Sequence, residues 1–442
     1  MLSPTTINNL LNKTISEAES TIEKFVYNPG ADMTRHRKCT FESTIKATLC
    51  FAMNRTNTEL INYFGLDDRK LPSKSAFTQQ RRKLNPELFP FLFETFNKKI
   101  PFKKRFKGYR LIAADGSDIN LPKDCNDTVY RIDYPNKHSD GCYYQLHLNA
   151  LFDICEKRYT SLLIQPSPEQ NEYKAFQQMV LEPQYDDKSI FIADRGYPSL
   201  DTLAFMIENH RHFIFRATSP STQTSMLRNI IPEDTELDRV IEIGVSRNSK
   251  YIKLDKTRFK HIRGVNDFYP IPVDDHKTIY YMRFRVVSIP VNDGSLEYII
   301  TDLTDDQFRD EDLRELYHMR WDIETSFRQL KYPISLIYFH SVNRELIIQE
   351  LYAKMILFNF ASLLWNYVEI ERLRESIIKS RKYRYQASFD YAVTMARFLI
   401  KGRVSNKKIK ALLLKHLTPI RMGPSKPRNM LTKRSMPLIS RA

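Results

Sequence analysis

The spacing of apolar residues divides this chain into helical and strand-forming stretches. Within residues 1–100 the apolar positions recur at helical spacing, as in residues 41–65, and polar turns with proline separate them. From about residue 107 the pattern changes to short alternating or wholly apolar runs, which are typical of strands. Helical spacing returns at residue 309 and continues to about residue 370. The pattern therefore predicts a helical start, a strand-rich middle and a helical second half.

The strand-rich middle begins with a definite order of elements. Three strands are expected in GYRLIAADGSDINLP, QLHLNALFDI and RYTSLLIQ. A helix over residues 168–183, a strand over Ser189–Ala193, a helix over residues 199–209 and a strand in HFIFRAT follow. This is the order of a ribonuclease-H-like core, in which the first and fourth strands are neighbours in the sheet. We therefore expect an α/β fold with a ribonuclease-H-like catalytic core.

The following segment, residues 218–303, has a different pattern of apolar residues. Short β-like pieces (VIEIGVS, KYIKL, YYMRFRVVSIP and LEYIITDL) recur there between polar turns, and we expect a β-rich insertion in the core. The predicted organisation has five parts. They are a helical DNA-binding domain (1–100), the first part of the core (101–217), the β-rich insertion (218–303), the second part of the core (304–370) and a helical, basic C-terminal region (371–442).

Charge supports binding functions for the two ends of the chain. Of the net charge of +16, residues 1–100 contribute 15 Lys/Arg against 10 Asp/Glu, and residues 371–442 contribute 19 against 3. Basic ends around a mildly acidic middle indicate a catalytic body with polyanion-binding flanks. In the first flank, Gln79, Arg81 and Arg82 lie on a short predicted helix after a turn, which resembles a helix-turn-helix reader. The alternative is an ordinary polar surface helix.

Composition argues against several other classes of protein. Five scattered cysteines without a CxxC pair indicate reduced thiols rather than a disulfide framework or a zinc ribbon. The N-terminus has no signal-peptide pattern, and the longest apolar stretch, Ile347–Val368, contains Glu350 and Lys354. We expect that stretch to be a buried helix rather than a membrane span. The sequence contains no GxxxxGK[ST] loop that would indicate an ATP-driven step. We expect a cytoplasmic, nucleoid-associated protein.

Three carboxylates are candidates for chemistry. Asp115 and Asp194 each follow an apolar strand, and neighbouring strands would bring them side by side at one rim. Asp118 is a rival to Asp115, which we favour because it directly follows the apolar run LIAA. Glu324 lies on the helix predicted over residues 309–332. Converging carboxylates repel one another unless cations neutralise them, and hard oxygen ligands suit two Mg²⁺ or Mn²⁺ ions, which can promote phosphodiester displacement.

The helix that carries Glu324 also has a phosphate-binding face. Tyr317, Arg320, Glu324 and Lys331 fall within an arc of roughly 60° at helical periodicity. Their spacing, Y-(2)-R-(3)-E-(6)-K, resembles the signature of the bacterial insertion-sequence transposases of family four, the YREK subset of DDE transposases. The segments ADGSDINLP and IADRGYPS are similar to that family's first and second Asp motifs. The resemblance covers roughly residues 40–370.

The resemblance implies a role for each matching residue. Asp115, Asp194 and Glu324 would bind two catalytic metal ions, while Tyr317, Arg320 and Lys331 would contact phosphates of the transposon end. Arg195, next to Asp194, is expected either to contact a phosphate or to pair with a carboxylate. Trp321 lies on a different face of the helix from Arg320, and we expect it to pack in the core rather than to stack on a base or ribose.

The function implied is that of a DNA transposase that binds double-stranded DNA. It would bind the terminal inverted repeats of its insertion sequence, cut a strand with water and join the freed 3′-hydroxyl to target DNA, acting as a homodimer on DNA. Two alternatives are a catalytically silent DNA-binding relative and a ribonuclease-H-like nuclease without strand transfer. Nicking and strand-transfer assays distinguish these alternatives from a transposase.

Overall fold

The computed structural model describes residues 2–35, 37–123, 127–133, 141–232, 236–263, 268–291, 295–374 and 384–420. Cys125 and the basic tail from Met422 lie outside these ranges. The helices are α1 (Pro4–Ser20), α2 (Phe41–Leu49), α3 (Thr56–Phe64), α4 (Lys74–Arg81), α5 (Leu88–Lys98), α6 (Glu172–Val180), α7 (Leu200–Glu208), α8 (Ser249–Leu254), α9 (Asp310–Met319), α10 (Trp321–Lys331), α11 (Arg344–Arg374), α12 (Phe389–Ile400) and α13 (Asn406–Lys415). The strands are β1 (Arg110–Asn120), β2 (Arg131–Asp133), β3 (Cys142–Asp153), β4 (Arg158–Pro166), β5 (Ser189–Ala193), β6 (His212–Ala217), β7 (Asp238–Ser246), β8 (Phe259–His261), β9 (Tyr280–Pro290), β10 (Leu296–Thr301), β11 (Arg384–Ala387) and β12 (Leu417–Ile420).

A mixed sheet of ten strands organises the described chain. Its order is β2-β3-β1-β5-β6-β10-β9-β7-β8, and β4 pairs with β3 as well. Strand β1 runs antiparallel to β3 and parallel to β5, which in turn is parallel to β6. The five strands predicted from the apolar runs are therefore present. Strands β1, β3 and β4 pair antiparallel, β5 and β6 pair parallel, and the first (β1) and the fourth (β5) are neighbours.

The segment expected to be an inserted β-rich module extends this same sheet. Strand β10 pairs antiparallel with β6, and β9 and β7 continue outward from β10. The piece KYIKL, expected to be β-like, is instead part of α8, where the Asn248 side chain accepts a hydrogen bond from the Lys250 N–H at the helix start. The capping side chain thus outweighs the alternating pattern of that short run.

The two faces of the sheet pack against different layers. Along β1, Leu111 and Ala113 point into the larger core, which contains α1, α5 and α11, whereas Ile112 and Ala114 point into a second core with α6 and α7. This alternation follows from the two-residue period of a strand. It also assigns faces further along β1, so that Asp115 points to the α11 side and Asp118 to the α6 side.

Helix α11 is the central helix of the larger core. By length and composition alone, residues 344–369 are apolar enough to cross a membrane, yet 89% of the most apolar window is buried inside the molecule. The prediction of a buried helix over Ile347–Val368 is confirmed. Helices α1, α2, α5, α12 and α13 all pack against α11, so both basic ends of the chain contact one core helix.

The N-terminal helices differ in detail from the expectation. Residues 41–65 form two helices, α2 and α3, rather than one stretch, and Gly65 ends α3 with a φ of 88° that favours glycine. Ser73 caps α4 by accepting from the Ala76 N–H. The connection between α3 and α4 spans residues 65–73, much longer than the roughly 3–4-residue turn of a helix-turn-helix. The expected helix-turn-helix is therefore not the arrangement here.

Candidate active site

The helix expected over residues 309–332 is two helices that meet at Arg320. The Arg320 N–H donates to the Tyr317 carbonyl at 3.1 Å, and the Ile323 N–H donates to the Arg320 carbonyl at 3.1 Å. These three-residue steps tighten the chain between α9 and α10. Arg320 keeps helical dihedral angles (φ −53°, ψ −32°), so its side chain and that of Glu324 still point to the same side.

The sheet brings the two aspartates to adjacent strands. Ala114 of β1 pairs with Ala193 of β5 in parallel register, so Asp115 in β1 and Asp194, directly after β5, are the next residue on each side. Asp115 was expected at the end of its strand, but β1 continues to Asn120 against β3. Only the pairing with β5 ends before Asp115, which is enough to open the rim of the sheet beside it.

Each aspartate is oriented by the peptide that follows it. The Gly116 N–H donates to Asp115 Oδ1 at 2.9 Å, and the Arg195 N–H donates to Asp194 Oδ1 at 2.7 Å. The Tyr317 hydroxyl also donates to Asp194 Oδ1, at 3.2 Å. Backbone donors hold the carboxylates with little freedom because the peptides belong to, or directly follow, strands of the sheet.

A buried guanidinium lies among the carboxylates. Arg320 is 1% exposed, and its Nη2 lies 3.0 Å from Glu324 Oε1 and 3.8 Å from Asp194 Oδ2. Helix α10 packs against β1, which brings Glu324 towards Asp115. Arg320 is thus the cation around which carboxylates from β5 and α10 meet beside Asp115.

The pKa of Asp115 reports the same crowding. Burial raises it to about 6, the Gly116 N–H and Arg320 oppose this rise, and the charges of Glu324 and Glu172 add to it. A carboxyl group that is costly to ionise gains much from a bound cation, since the cation favours the charged form. Burial, opposed only in part by the Gly116 N–H and Arg320, therefore makes Asp115 costly to ionise without a further cation.

The donor set fits a hard divalent cation. The three candidate ligands are all carboxylates, the oxygen donors that a hard divalent cation prefers, and two of them already face the cationic side chain of Arg320. Across the described ranges, no three His, Cys, Asp or Glu side chains are close enough to hold one ion. Asp194 and Glu324 point to the guanidinium, so they would have to turn from Arg320 to share an ion with Asp115.

Two groups near the site were missed by sequence reasoning. Arg216 lies on β6, where Nη1 is 3.8 Å from Asp194 Oδ1 and Nη2 is 2.7 Å from Glu297 Oε1. A charged residue in the otherwise apolar run HFIFRAT was the available signal. His147 pairs with Asp118 at 2.8 Å, so the rival to Asp115 is engaged on the other face of the sheet.

The residues predicted to contact DNA are in different environments. Arg195, Gln79 and Arg82 are exposed, and Lys331 is half-buried at the end of α10. Arg81 is 3% exposed, and its Nη1 lies 2.8 Å from Glu350 Oε1. The expectation that Arg81 binds DNA is therefore wrong in this structure, because its guanidinium anchors α4 to α11.

Trp321 is also unlike its prediction. Instead of packing in the core it is 51% exposed, and its ring centroid lies 5.6 Å from the Arg320 guanidinium carbon. The ring is therefore accessible to solvent beside the arginine that contacts Glu324. Exposed aromatic rings next to cationic groups are suited to stacking on nucleic-acid bases.

The fold and the site define an enzyme of the DDE class. A family model described as the transposase DDE domain matches residues 106–360, more than half of the chain, and includes all three candidate carboxylates. The chain belongs to this family and is a DNA transposase.

Other comparisons give more distant likenesses. No curated protein matches the chain. Among solved structures, the chain is similar to a piggyBac transposase synaptic complex with hairpin DNA, with a TM-score of 0.49 and 9% sequence identity over 96% of this chain and 87% of that chain.

Proposed function

We propose that this transposase belongs to the YREK subset of family four of the bacterial insertion sequences and has a ribonuclease-H-like core. The spacing of Tyr317, Arg320, Glu324 and Lys331 supports the first part. The strand order β4-β3-β1-β5-β6, with the first three antiparallel and the last two parallel, supports the second. The five predicted parts of the chain remain our proposed domain organisation, with the segment 218–303 as an extension of the core sheet.

Asp115, Asp194 and Glu324 would hold two Mg²⁺ or Mn²⁺ ions. When bound, such ions stabilise the attacking and leaving oxygens of a phosphodiester displacement. The protein supplies ligand orientation, because the N–H groups of Gly116 and Arg195 fix the two aspartates. Helix α10 then presents Glu324 from the side.

Arg320 and its neighbours would receive the scissile phosphate. Its guanidinium already lies among the carboxylates, so it needs only to exchange Glu324 and Asp194 for phosphate oxygens. Tyr317 can donate its hydroxyl hydrogen bond in the same way, and Lys331 and Arg195 add positive charge at the edge of the site. These contacts would orient the strand for in-line attack.

DNA outside the active site would be bound by the basic ends of the chain. Gln79 and Arg82 are exposed on α4, and the C-terminal region carries most of the excess positive charge. Since two transposon ends must be cut together, we propose a homodimer assembled on DNA. The excess positive charge suits a cytoplasmic, nucleoid-associated protein.

One observation carries the catalytic proposal, namely that Arg320 lies between Glu324 and Asp194, and the β1–β5 register places Asp115 next to Asp194. The test is Glu324→Gln, assayed with a duplex that carries the end of the element. We expect Mg²⁺-dependent cleavage to fall by about 10³-fold or more, since a metal ligand is lost, while end binding stays nearly intact. Glu315→Gln, an exposed carboxylate on α9, is the matched control and should cut normally.

Cleavage by Glu324→Gln at the wild-type rate would show that the third ligand is misassigned. A wild-type protein that binds ends but never nicks them would instead be a silent relative. One that nicks but cannot join a pre-cut end to target DNA would be a nuclease without strand transfer.

A further inference from the structure

A second cluster of charged groups lies behind Asp115, on the opposite face of β1. It consists of Asp118 on β1, His147 on β3 and Glu172, the first residue of α6. Strand alternation puts Asp115 on the α11 side and Gly116 and Asp118 on the α6 side. The cluster therefore shares a strand with the catalytic aspartate without sharing its face.

His147 holds the cluster together. Asp118 and His147 are directly opposite in the antiparallel pairing of β1 and β3, and His147 Nδ1 lies 2.8 Å from Asp118 Oδ1. On its other side, Nε2 lies 3.0 Å from Glu172 Oε1. The imidazole side chain is 5% exposed while the two carboxylates are partly exposed. One buried ring thus ties the start of α6 to the rim of β1.

The charge state of the ring suits this bridge. Burial alone would lower the pKa of His147, but the contacts with Asp118 and Glu172 outweigh burial and raise it to about 9. At neutral pH the ring is an imidazolium between two carboxylates, and both of its nitrogens carry protons.

The backbone of Gly116 rests directly on this ring. A Cβ atom at position 116 would lie 2.4 Å from His147 Nε2, closer than real Cβ contacts, and 3.0 Å from Glu172 Oε1, a tight contact. Glycine is required because the ring fills the space of a side chain. The same residue turns its N–H to Asp115 Oδ1 at 2.9 Å. The imidazole therefore supports the peptide that orients the catalytic carboxylate.

We propose that His147 is a positioning residue that acts through Gly116 to fix Asp115 for divalent metal binding. The inference rests on the proposed role of Asp115 as a metal ligand. Groups that orient metal ligands from behind typically change metal affinity by about 10–100-fold when removed. Asp118 and Glu172 are then the anchors of the ring rather than ligands.

The first test is His147→Gln, measured by end cleavage across a range of Mg²⁺ concentrations. We expect the Mg²⁺ concentration for half-maximal cleavage to rise about tenfold, while cleavage at saturating Mg²⁺ stays within about threefold of wild type. The matched control is His212→Gln. His212 also contacts a carboxylate, Asp302 at 2.6 Å, but at the far end of β6, so its loss should leave the Mg²⁺ requirement unchanged.

The second test is a double-mutant cycle between positions 116 and 147. Gly116→Ala should raise the Mg²⁺ requirement as well, because the new methyl group displaces the ring. The double variant Gly116→Ala/His147→Ala removes that clash, so its effect should be no larger than that of His147→Ala alone. Such non-additivity identifies a shared route to Asp115.

Three outcomes are distinguishable. If His147→Gln loses cleavage only in proportion to the unfolded fraction, with the Mg²⁺ requirement unchanged, His147 is structural and the inference fails. Additive effects of the two substitutions would also overturn it, since they exclude transmission through Gly116. A wild-type protein without metal-dependent cleavage would overturn the proposed function instead.

Discussion

Arg81 and Arg320 are both buried beside carboxylates, and their surroundings differ. Arg81 in the larger core donates to Gln349 at 3.3 Å, to Glu350 at 2.8 Å and to the Leu346 carbonyl at 2.8 Å. Arg320 in the active site has one close contact, at 3.0 Å to Glu324, and its Nε has no hydrogen-bond partner among the described residues. The core arginine is satisfied by the protein, and the active-site arginine is not.

The carboxylates show the same contrast. Burial alone would raise the pKa of Glu350, but His340 and Arg81 overcome this and hold it at about 2. Asp115 has its pKa raised to about 6 because its burial is not fully compensated. Full compensation is what a structural network needs, whereas incomplete compensation leaves the site ready to bind a cation and a phosphate. Of these two sites, the fully paired arginine belongs to the core and the incompletely paired one to the candidate active site.

The largest expected effect comes from removing the active-site arginine. Arg320→Ala should lower end cleavage by about 10³–10⁵-fold, the usual contribution of an arginine that stabilises a transferred phosphoryl group. Stability should fall by about 0.5–3 kcal/mol, because a buried side chain is removed although its partners Asp194 and Glu324 are partly exposed to water. Cleavage kinetics and urea unfolding measure the two effects. If Arg320→Ala unfolds readily but still cuts DNA, Arg320 is a structural residue like Arg81.

Removing the core arginine should have the opposite profile. Arg81→Ala leaves Glu350 buried without one of its partners, and the expected cost is about 3–5 kcal/mol of unfolding free energy. The folded fraction should still bind transposon ends. The neighbour Arg82 is the matched control, since Arg82→Ala removes an exposed charge and should weaken end binding with little change in stability. Loss of end binding by Arg81→Ala at unchanged stability would restore Arg81 as a DNA reader.

The pH dependence of metal use should sharpen the contrast further. The pKa of Asp115 is above its ordinary value, so the carboxyl group becomes protonated as pH falls through about 6. An ion must then displace that proton, and the Mg²⁺ concentration for half-maximal cleavage should rise about tenfold between pH 6 and pH 5. Above pH 7 it should be flat. A requirement that is unchanged down to pH 5 would show that Asp115 is ionised without the metal.

Sequence patterns predicted those parts of the site that depend on local order. Apolar runs located β1 and β5, and the residues that follow them are the two aspartates at the rim. Arg216 and His147 were missed because their contacts come from elements distant in the chain. The register between such strands cannot be predicted from the sequence of either strand alone. The break at Arg320 was missed because helix formers continue across it.

The burial of Arg81 could have been predicted from the sequence. Phe77 lies four residues before it, so the two share one helix face, and Phe77 is fully buried. Arg81 and Arg82 were treated as equivalent, and the fact that they lie on different faces of the helix was overlooked. Trp321 gave the opposite error, because a large aromatic was assumed to be in the core although its helix face differs from that of buried Ile323 and Leu330.

The smallest expected effect is at Trp321. A substitution there tests whether the exposed ring beside Arg320 contacts DNA. Trp321→Ala should leave stability within about 1 kcal/mol, since half of the side chain is already in water. Loss of one stacked base should weaken binding of a transposon-end duplex by about 1 kcal/mol, or roughly fivefold, as measured by mobility shift. Trp321→Tyr keeps an aromatic face and should retain most of the binding. Equal weakening in both variants would show that an aromatic face at this position does not stack on DNA.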